Sequence, residues 1–293
     1  MKTIASAVRF LVFSNLFIGT CVLSFTIKTS IILFGNFGNV HVCALIFAAT
    51  VFLYCFHKLY RRYRFTEEEH KEQRHRWVDA HIPLYYGITI LAFLVALSQM
   101  FFMPIRLWVL LSPVSFMALG YSIPFIKKGE GFIRLRDIRW LKALWIALSY
   151  GWLSTFLPIA FVLPVNQLCR PDVMLMFIRN LLFVFALVIP FDIRDVKYDA
   201  RNGTRTLPII MGVQGAVNLA LALLALFAIS TLVSWYFFGL NKWMATALWI
   251  SAFQTACVIP FSKPERPNLF FPLGIESTML IQCLLVILAS HMI

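Results

Sequence analysis

Acidic residues are scarce in this sequence. Only 13 of its 293 residues are Asp or Glu, against 26 Lys and Arg, and charged residues of both signs make up 13% of the chain. Soluble domains carry about 25%, so an ordinary soluble protein is excluded. Glycine and proline, at 13 each, are sparse and unperiodic, which excludes collagen-like and low-complexity chains. The six cysteines (Cys21, Cys43, Cys55, Cys169, Cys257, Cys283) stand singly, without a C-x-x-C pair or metal-ligand spacing. They read as small core or lipid-facing residues. What the chain has in quantity is apolar surface: 60% hydrophobic residues and a mean hydropathy of +0.81. That is far too apolar for disorder and leaves a polytopic membrane protein. A span needs about 20 apolar residues, so eight or nine spans consume the length and any chemistry must sit on the bundle itself.

Apolar runs bounded by charges and turn residues place spans near 10 to 34, 40 to 57, 82 to 103, 106 to 125, 141 to 163, 173 to 191, 210 to 238, 243 to 261 and 270 to 290. The expectation is an all-α membrane bundle of about nine transmembrane helices, a single domain over 1–293. Met1-Lys2, Ser6 and Arg9 are followed by an apolar run to about Phe34 with no A-x-A site, which reads as a first span rather than a cleaved leader. With the N-terminus cytoplasmic, 21 of the 26 Lys and Arg fall in inside segments. The positive-inside rule favours that orientation and puts the C-terminus outside. The net charge of +13 then reflects short loops against anionic headgroups, so membrane lipids are expected as partners and nucleic acid is not.

Eleven of the 13 acids lie in those same inside loops. Asp172 falls outside, and Glu276 falls in the last span. The sharpest local pattern is Asp192-x-x-Asp195-x-x-x-Asp199, reached from an apolar helix end at Pro190 and closed by Asn202-Gly203. At roughly 100° per residue the three carboxylates share one helix face, while Arg194 and Lys197 point elsewhere. Three acids on one face repel unless a cation lies between them. A hard, oxygen-seeking ion such as Mg²⁺ would relieve the repulsion, typically through one or two carboxylates plus substrate phosphates. A solvated loop whose acids balance Arg194, Lys197, Arg201 and Arg205 is the plainer alternative.

The triad followed by Gly203-Thr204-Arg205-Thr206-Leu207-Pro208 resembles the second Asp-rich motif of the UbiA superfamily of intramembrane prenyltransferases and its G-x-R-T-L-P stretch. Leu119-Gly120-Tyr121-Ser122-Ile123-Pro124, Lys127-Lys128 and the basic run from Arg136 to Lys142 are similar to that family's Tyr-Ser-x-Pro segment and basic loop. The resemblance implies a helical bundle with a central cavity capped by cytosolic loops. It implies a prenyl diphosphate donor held through Mg²⁺ and basic residues, and transfer of the isoprenyl group to an often aromatic acceptor such as a quinone precursor. By that resemblance Asp192, Asp195 and Asp199 are metal or diphosphate residues, and Lys127, Lys128 and Arg205 are diphosphate contacts.

The chain departs from the family where a first Asp-rich motif should follow the second span. No register from Phe52 to Tyr63 supplies a carboxylate, and His57, Lys58, Arg61 and Arg62 stand there instead. Cations can stabilise a leaving diphosphate in place of a metal, so His57, Lys58 and Arg61 join the diphosphate candidates. Glu67, Glu68, Glu69 and Glu72 after Thr66 read as a capped surface helix. A non-catalytic prenyl- or lipid-binding protein or scaffold, an enzyme of altered chemistry, and a small-molecule transporter remain open alternatives. Inside the spans, a carboxylate at Glu276 is costly unless it faces a cavity or partner, making it a candidate to orient an acceptor or take its proton. Asn15 is read as lining the cavity or joining two helices, and Arg179 as snorkelling or pairing with Asp172.

Overall fold

The computed structural model describes residues 2–64, 73–123, 126–128, 131–133, 138, 141–201 and 203–292. Long apolar runs can satisfy their backbone groups in hydrocarbon only as helices or closed barrels, and here they form helices. In chain order these are α1 (Lys2–Phe13), α2 (Leu16–Phe34), α3 (Val40–Arg64), α4 (Gln73–Ala80), α5 (Ile82–Met100) and α6 (Ile105–Ser122). After them come α7 (Leu141–Val162), α8 (Pro171–Arg194), α9 (Val196–Arg201), α10 (Leu207–Phe237), α11 (Lys242–Val258) and α12 (Ser277–Ser290). Between α6 and α7, β1 (Ile126–Lys128) pairs antiparallel with β2 (Gly131–Ile133), Lys127 opposite Phe132. Among the described residues eight helices are long and apolar enough to cross a membrane, and the shorter apolar α6 stands where a ninth span was expected. The expected helical membrane bundle is therefore the observed fold.

The helices pack side by side as α2–α3–α5 and as α6–α7–α8–α10–α11–α12, α6 also touches α3, and α12 returns against α2. The central helix is α8, flanked by α7 and α10 and buried through Phe183, Val184, Leu187 and Ile189. Its approach to α7 is set by a glycine: a Cβ on Gly151 would lie 3.2 Å from the backbone nitrogen of Leu181. Only a residue without a side chain permits that contact without a shift of one helix.

Two local expectations are corrected. The first apolar run, expected as one span over 10 to 34, breaks at Asn15. This is the one described non-glycine residue with positive φ, at 65°. Asn tolerates the left-handed region better than most residues, and its buried amide is tied to three partners. Nδ2 donates to the Tyr85 hydroxyl at 2.7 Å and to Cys55 Sγ at 3.2 Å, and Oδ1 accepts from Lys58 Nζ at 2.7 Å. In turn, α8 does not stop at Pro190. It continues to Arg194, because a proline inside a membrane helix is tolerated where packed neighbours hold the freed backbone.

A polar cluster lies deep between α2, α7 and α8. Lys28 Nζ donates to Asn180 Oδ1 at 2.7 Å and sits 3.7 Å from the Phe25 ring centroid, while Asn180 Nδ2 donates to Thr29 and Thr155. The expected pairing of Arg179 with Asp172 does not form. Arg179 reaches Ser234 on α10 at 3.0 Å and Met176 Sδ at 2.8 Å, whereas Asp172 pairs with Arg170 at the helix start. A helix-start carboxylate beside a solvent-exposed Arg avoids the cost of being drawn toward the buried guanidinium.

Candidate functional site

A cavity of about 290 Å³ opens between α2, α3, α6, α7, α8 and α12. Its walls divide by chemistry. The end near the α8–α9 turn collects His57, Lys58, Lys142, Asp192, Arg194 and Asp195, and the rest is mainly apolar and aromatic, with Leu53, Tyr54, Trp145, Tyr150 and Met279, interrupted by Ser149 and Glu276.

The triad is built on a helix that bends without unwinding. Asp195 ends α8 with φ −87° and ψ 2°. The hydrogen bonds Asp195 N to Phe191 O at 3.1 Å and Asp199 N to Asp195 O at 2.8 Å nevertheless carry the helical rise into α9. Asp192 and Asp199 therefore remain on one face, each 1% exposed. The turn closes through Gly203 at φ 67°, with Thr204 N donating to Asp199 O at 2.9 Å.

The cation between these two carboxylates is a lysine. Lys142, in the first turn of α7 and 7% exposed, places Nζ 2.8 Å from Asp192 Oδ1 and 3.0 Å from Asp199 Oδ2. Asp192 Oδ2 is buried with no hydrogen-bond partner among the described residues. Asp195 is turned to a different partner: Arg194 forks onto it, Nε at 2.7 Å from Oδ1 and a terminal nitrogen at 3.1 Å from Oδ2. This corrects the expectation that Arg194 points away from the acids. The guanidinium also lies over Phe191 and Phe271, 5.1 and 5.5 Å from the ring centroids, so two aromatic faces and one carboxylate fix it.

Opposite the triad, α3 supplies His57 and Lys58, and Lys58 donates to the Asn15 amide oxygen. Asn15 thus joins helices behind the cavity wall. Deeper in the cavity, Tyr150 donates its hydroxyl hydrogen to the Tyr54 hydroxyl at 2.7 Å. Glu276 ends a π-helical turn, Phe271–Glu276, and lines the same cavity. Single π-turns occur mostly where a helix must present a side chain off the regular 3.6-residue phase. Trp145, one turn along α7 from Lys142, lines the cavity with its indole N–H buried and unpartnered among the described residues. A bound ligand would meet one orphaned acceptor at Asp192 and one orphaned donor at Trp145.

The other candidates lie elsewhere. Lys127 is exposed on β1, and Arg205 is exposed between α9 and α10; neither lines the cavity. The side chains of Arg61 and Lys128 lie outside those described, as does the expected surface helix from Thr66 to Glu72. Lys197 pairs on the surface with Glu265 at 3.1 Å, and that hydrogen bond holds the Glu265 carboxyl below its ordinary value. Lys142, Trp145, Tyr54 and Tyr150 escaped sequence reading. The one signal available was that Lys142 is the last charge before an apolar run and already sits within the fifth span.

A divalent ion was expected at the triad. Among the described residues no three His, Cys, Asp or Glu side chains are grouped to hold one. The open Asp192 Oδ2, joined by the Asp195 carboxylate on the cavity wall in exchange for its Arg194 contacts, fits a single hard ion whose other ligands come from a phosphate.

No curated protein matches the sequence. Solved structures do resemble the fold. A UbiA homologue from Archaeoglobus fulgidus bound to GPP and Mg²⁺ superposes with a TM-score of 0.65 at 12% identity, covering 97% of this chain and 99% of that one. The apo UbiA homologue from Aeropyrum pernix K1 gives 0.59 at 16% identity, over 94% and 96%. A structure of digeranylgeranylglyceryl phosphate synthase gives 0.54 at 14%, over 99% and 98%. Residues 80–269 match the UbiA prenyltransferase family as a sequence, a stretch that holds the triad and begins beyond α3, where the first acidic motif is missing. The chain belongs to the UbiA prenyltransferase family.

Proposed function

We propose that this protein is an intramembrane prenyltransferase, moving an isoprenyl group from a prenyl diphosphate to a lipophilic, aromatic acceptor. The observation that carries this reading is the division of one cavity into a charged end and an aromatic body, in a chain of this family. The diphosphate sits at the charged end against Lys58, His57 and the Trp145 N–H, and the isoprenyl tail lies along the apolar wall. The C1–O bond of the donor breaks, the electron pair leaves with diphosphate, and a new bond forms from C1 to the acceptor, which gives up a proton. Ammonium and imidazolium groups stabilise the charge gathering on the leaving group. The apolar wall keeps water from the allylic cation. Glu276, beside the Tyr54–Tyr150 pair, takes the acceptor's proton. Mg²⁺, when bound through Asp192 and Asp195, would add charge stabilisation at the diphosphate. The N-terminus and the loops at the charged end face the cytoplasm.

A second reading, retention of prenyl diphosphate without turnover, draws on the missing first motif and on the lysine between two acids of the second. One experiment separates them: purified protein with prenyl diphosphates of varied length and a panel of phenolic acceptors, with and without Mg²⁺, beside the Asp192→Ala/Asp195→Ala variant. Prenylated product that falls at least about a hundredfold in the double variant is expected for transition-state charge contacts. Donor binding without product supports the second reading. Product formation unaffected by the double substitution refutes the site.

A further inference from the structure

We propose that Lys142 is a resident cation of the acidic site, occupying the place between Asp192 and Asp199 where a divalent ion would otherwise bind, so that the protein alone holds no metal there and accepts one only together with a diphosphate. The proposal uses the prenyl diphosphate reading for its last clause alone.

The geometry is specific. Two carboxylates seven residues apart on a buried helix face converge on one ammonium, at 2.8 and 3.0 Å. All three groups are almost wholly excluded from solvent. Two buried like charges this close need a counter-charge to coexist, and the ammonium already supplies it. An ammonium is a compact point charge with three donors and so mimics a small hard ion in this gap. It is also tethered: Lys142 is fixed on α7, and α7 is locked against α8 at Gly151. An incoming ion must expel a covalently attached competitor.

Local charge points the same way. Asp192, Asp199 and Lys142 sum to one negative charge, and Asp195 is matched by Arg194. The unpartnered Asp192 Oδ2 is the oxygen still open to a cation, and it cannot supply a cage for one alone. Mg²⁺ sheds water reluctantly and binds where a phosphate completes its shell. The sequence feature that seemed to call for a metal, three acids on one face, is thus largely neutralised by two basic residues: Lys142, 50 positions upstream of Asp192, and Arg194 within the motif.

The test is a Mn²⁺ titration followed by electron paramagnetic resonance on the purified full chain, without any prenyl compound and then with inorganic pyrophosphate. The expected result is no Mn²⁺ bound by the native protein alone at sub-millimolar concentration, and binding once pyrophosphate is added. Lys142→Gln, which removes the charge and keeps a hydrogen-bond donor, should gain Mn²⁺ affinity by at least about tenfold in the absence of pyrophosphate. Lys142→Arg, which keeps the charge, should not. Mn²⁺ binding by the native protein alone that Asp192→Asn abolishes would overturn the proposal. So would a folded Lys142→Gln with no gain. If Lys142→Gln does not fold, the native titrations with and without pyrophosphate still decide. Failure to prenylate any acceptor would sink the proposed function and leave the metal titration standing, so the two ideas fail separately.

Discussion

A single residue, Asn15, shows how this molecule uses its interior polar groups. Its backbone lies in the left-handed region while its side chain fastens α2 to Tyr85 on α5 and to Cys55 and Lys58 on α3. Two effects therefore act in opposite directions on substitution. Glycine normally destabilises relative to alanine, by about 0.5–1 kcal/mol in regular structure. At φ 65° alanine instead incurs a left-handed penalty of about 1–2 kcal/mol. Both variants also lose the buried amide and with it the hydrogen bonds to the Tyr85 hydroxyl and the Lys58 ammonium, at about 0.5–1.5 kcal/mol for each bond. The expected order of thermal stability in detergent is native, then Asn15→Gly, then Asn15→Ala. A lower midpoint for the glycine variant would show that the backbone at Asn15 is unstrained. Asn15→Gly should also weaken donor binding, because Lys58 loses the amide that aims it at the cavity.

Among elements, α7 and α8 decide whether the charged end exists. Lys142 lies at one end of α7, Asp192 at the facing end of α8, and Gly151 beside Leu181 sets the separation between them. Gly151→Val adds bulk against the Leu181 main chain, which cannot swing aside as a side-chain tip can, so α7 must move outward. Overpacking of this kind costs about 1–3 kcal/mol. The expected signature is loss of donor binding out of proportion to the loss of stability, since sub-ångström displacement separates Lys142 from the carboxylates. Equal donor affinity in Gly151→Val and native protein would mean that the α7–α8 contact does not position the site. The same two helices explain what sequence reading could reach. The spans were legible because apolar length is a one-dimensional property. Asp192 and Asp199 were placed on one face because helical phase is local, and the bend at Asp195 preserves it. What filled the space between them was not legible. Lys142 is remote along the chain, and at a span boundary it looks like one more positive-inside residue. Arg194 was assigned outward from ideal phase, yet its long side chain curls back to a neighbouring carboxylate and two aromatic rings. The Tyr54–Tyr150 pair joins residues far apart in sequence and left no periodic trace.

At the scale of the whole molecule, charge asymmetry and fold make one statement about the membrane. With the shorter α6 counted as a ninth span, strict alternation would put the α6–α7 connection, the α8–α9 turn and the α11–α12 connection, which carry acids, on the same side as the N-terminus. The short connections would then lie on the other side, including the turn from α7 into α8 that ends in the exposed Cys169. Lysine and arginine in loops of about 60 residues or fewer are retained in the cytoplasm, so the cavity's charged end should face inward and Cys169 outward. A variant with Cys43 and Cys257 changed to Ser retains Cys169 as its exposed thiol, because Cys21, Cys55 and Cys283 are buried. In intact cells a membrane-impermeant maleimide should label it at once. Adding Cys169→Ser and Lys197→Cys moves the thiol to the surface pair beside α9, where labelling should require permeabilisation. The reverse pattern would invert the protein in the membrane. The diphosphate site would then open away from the cytoplasm, and a soluble cytoplasmic prenyl diphosphate could not reach it, so this labelling result bears on the donor as directly as on the topology.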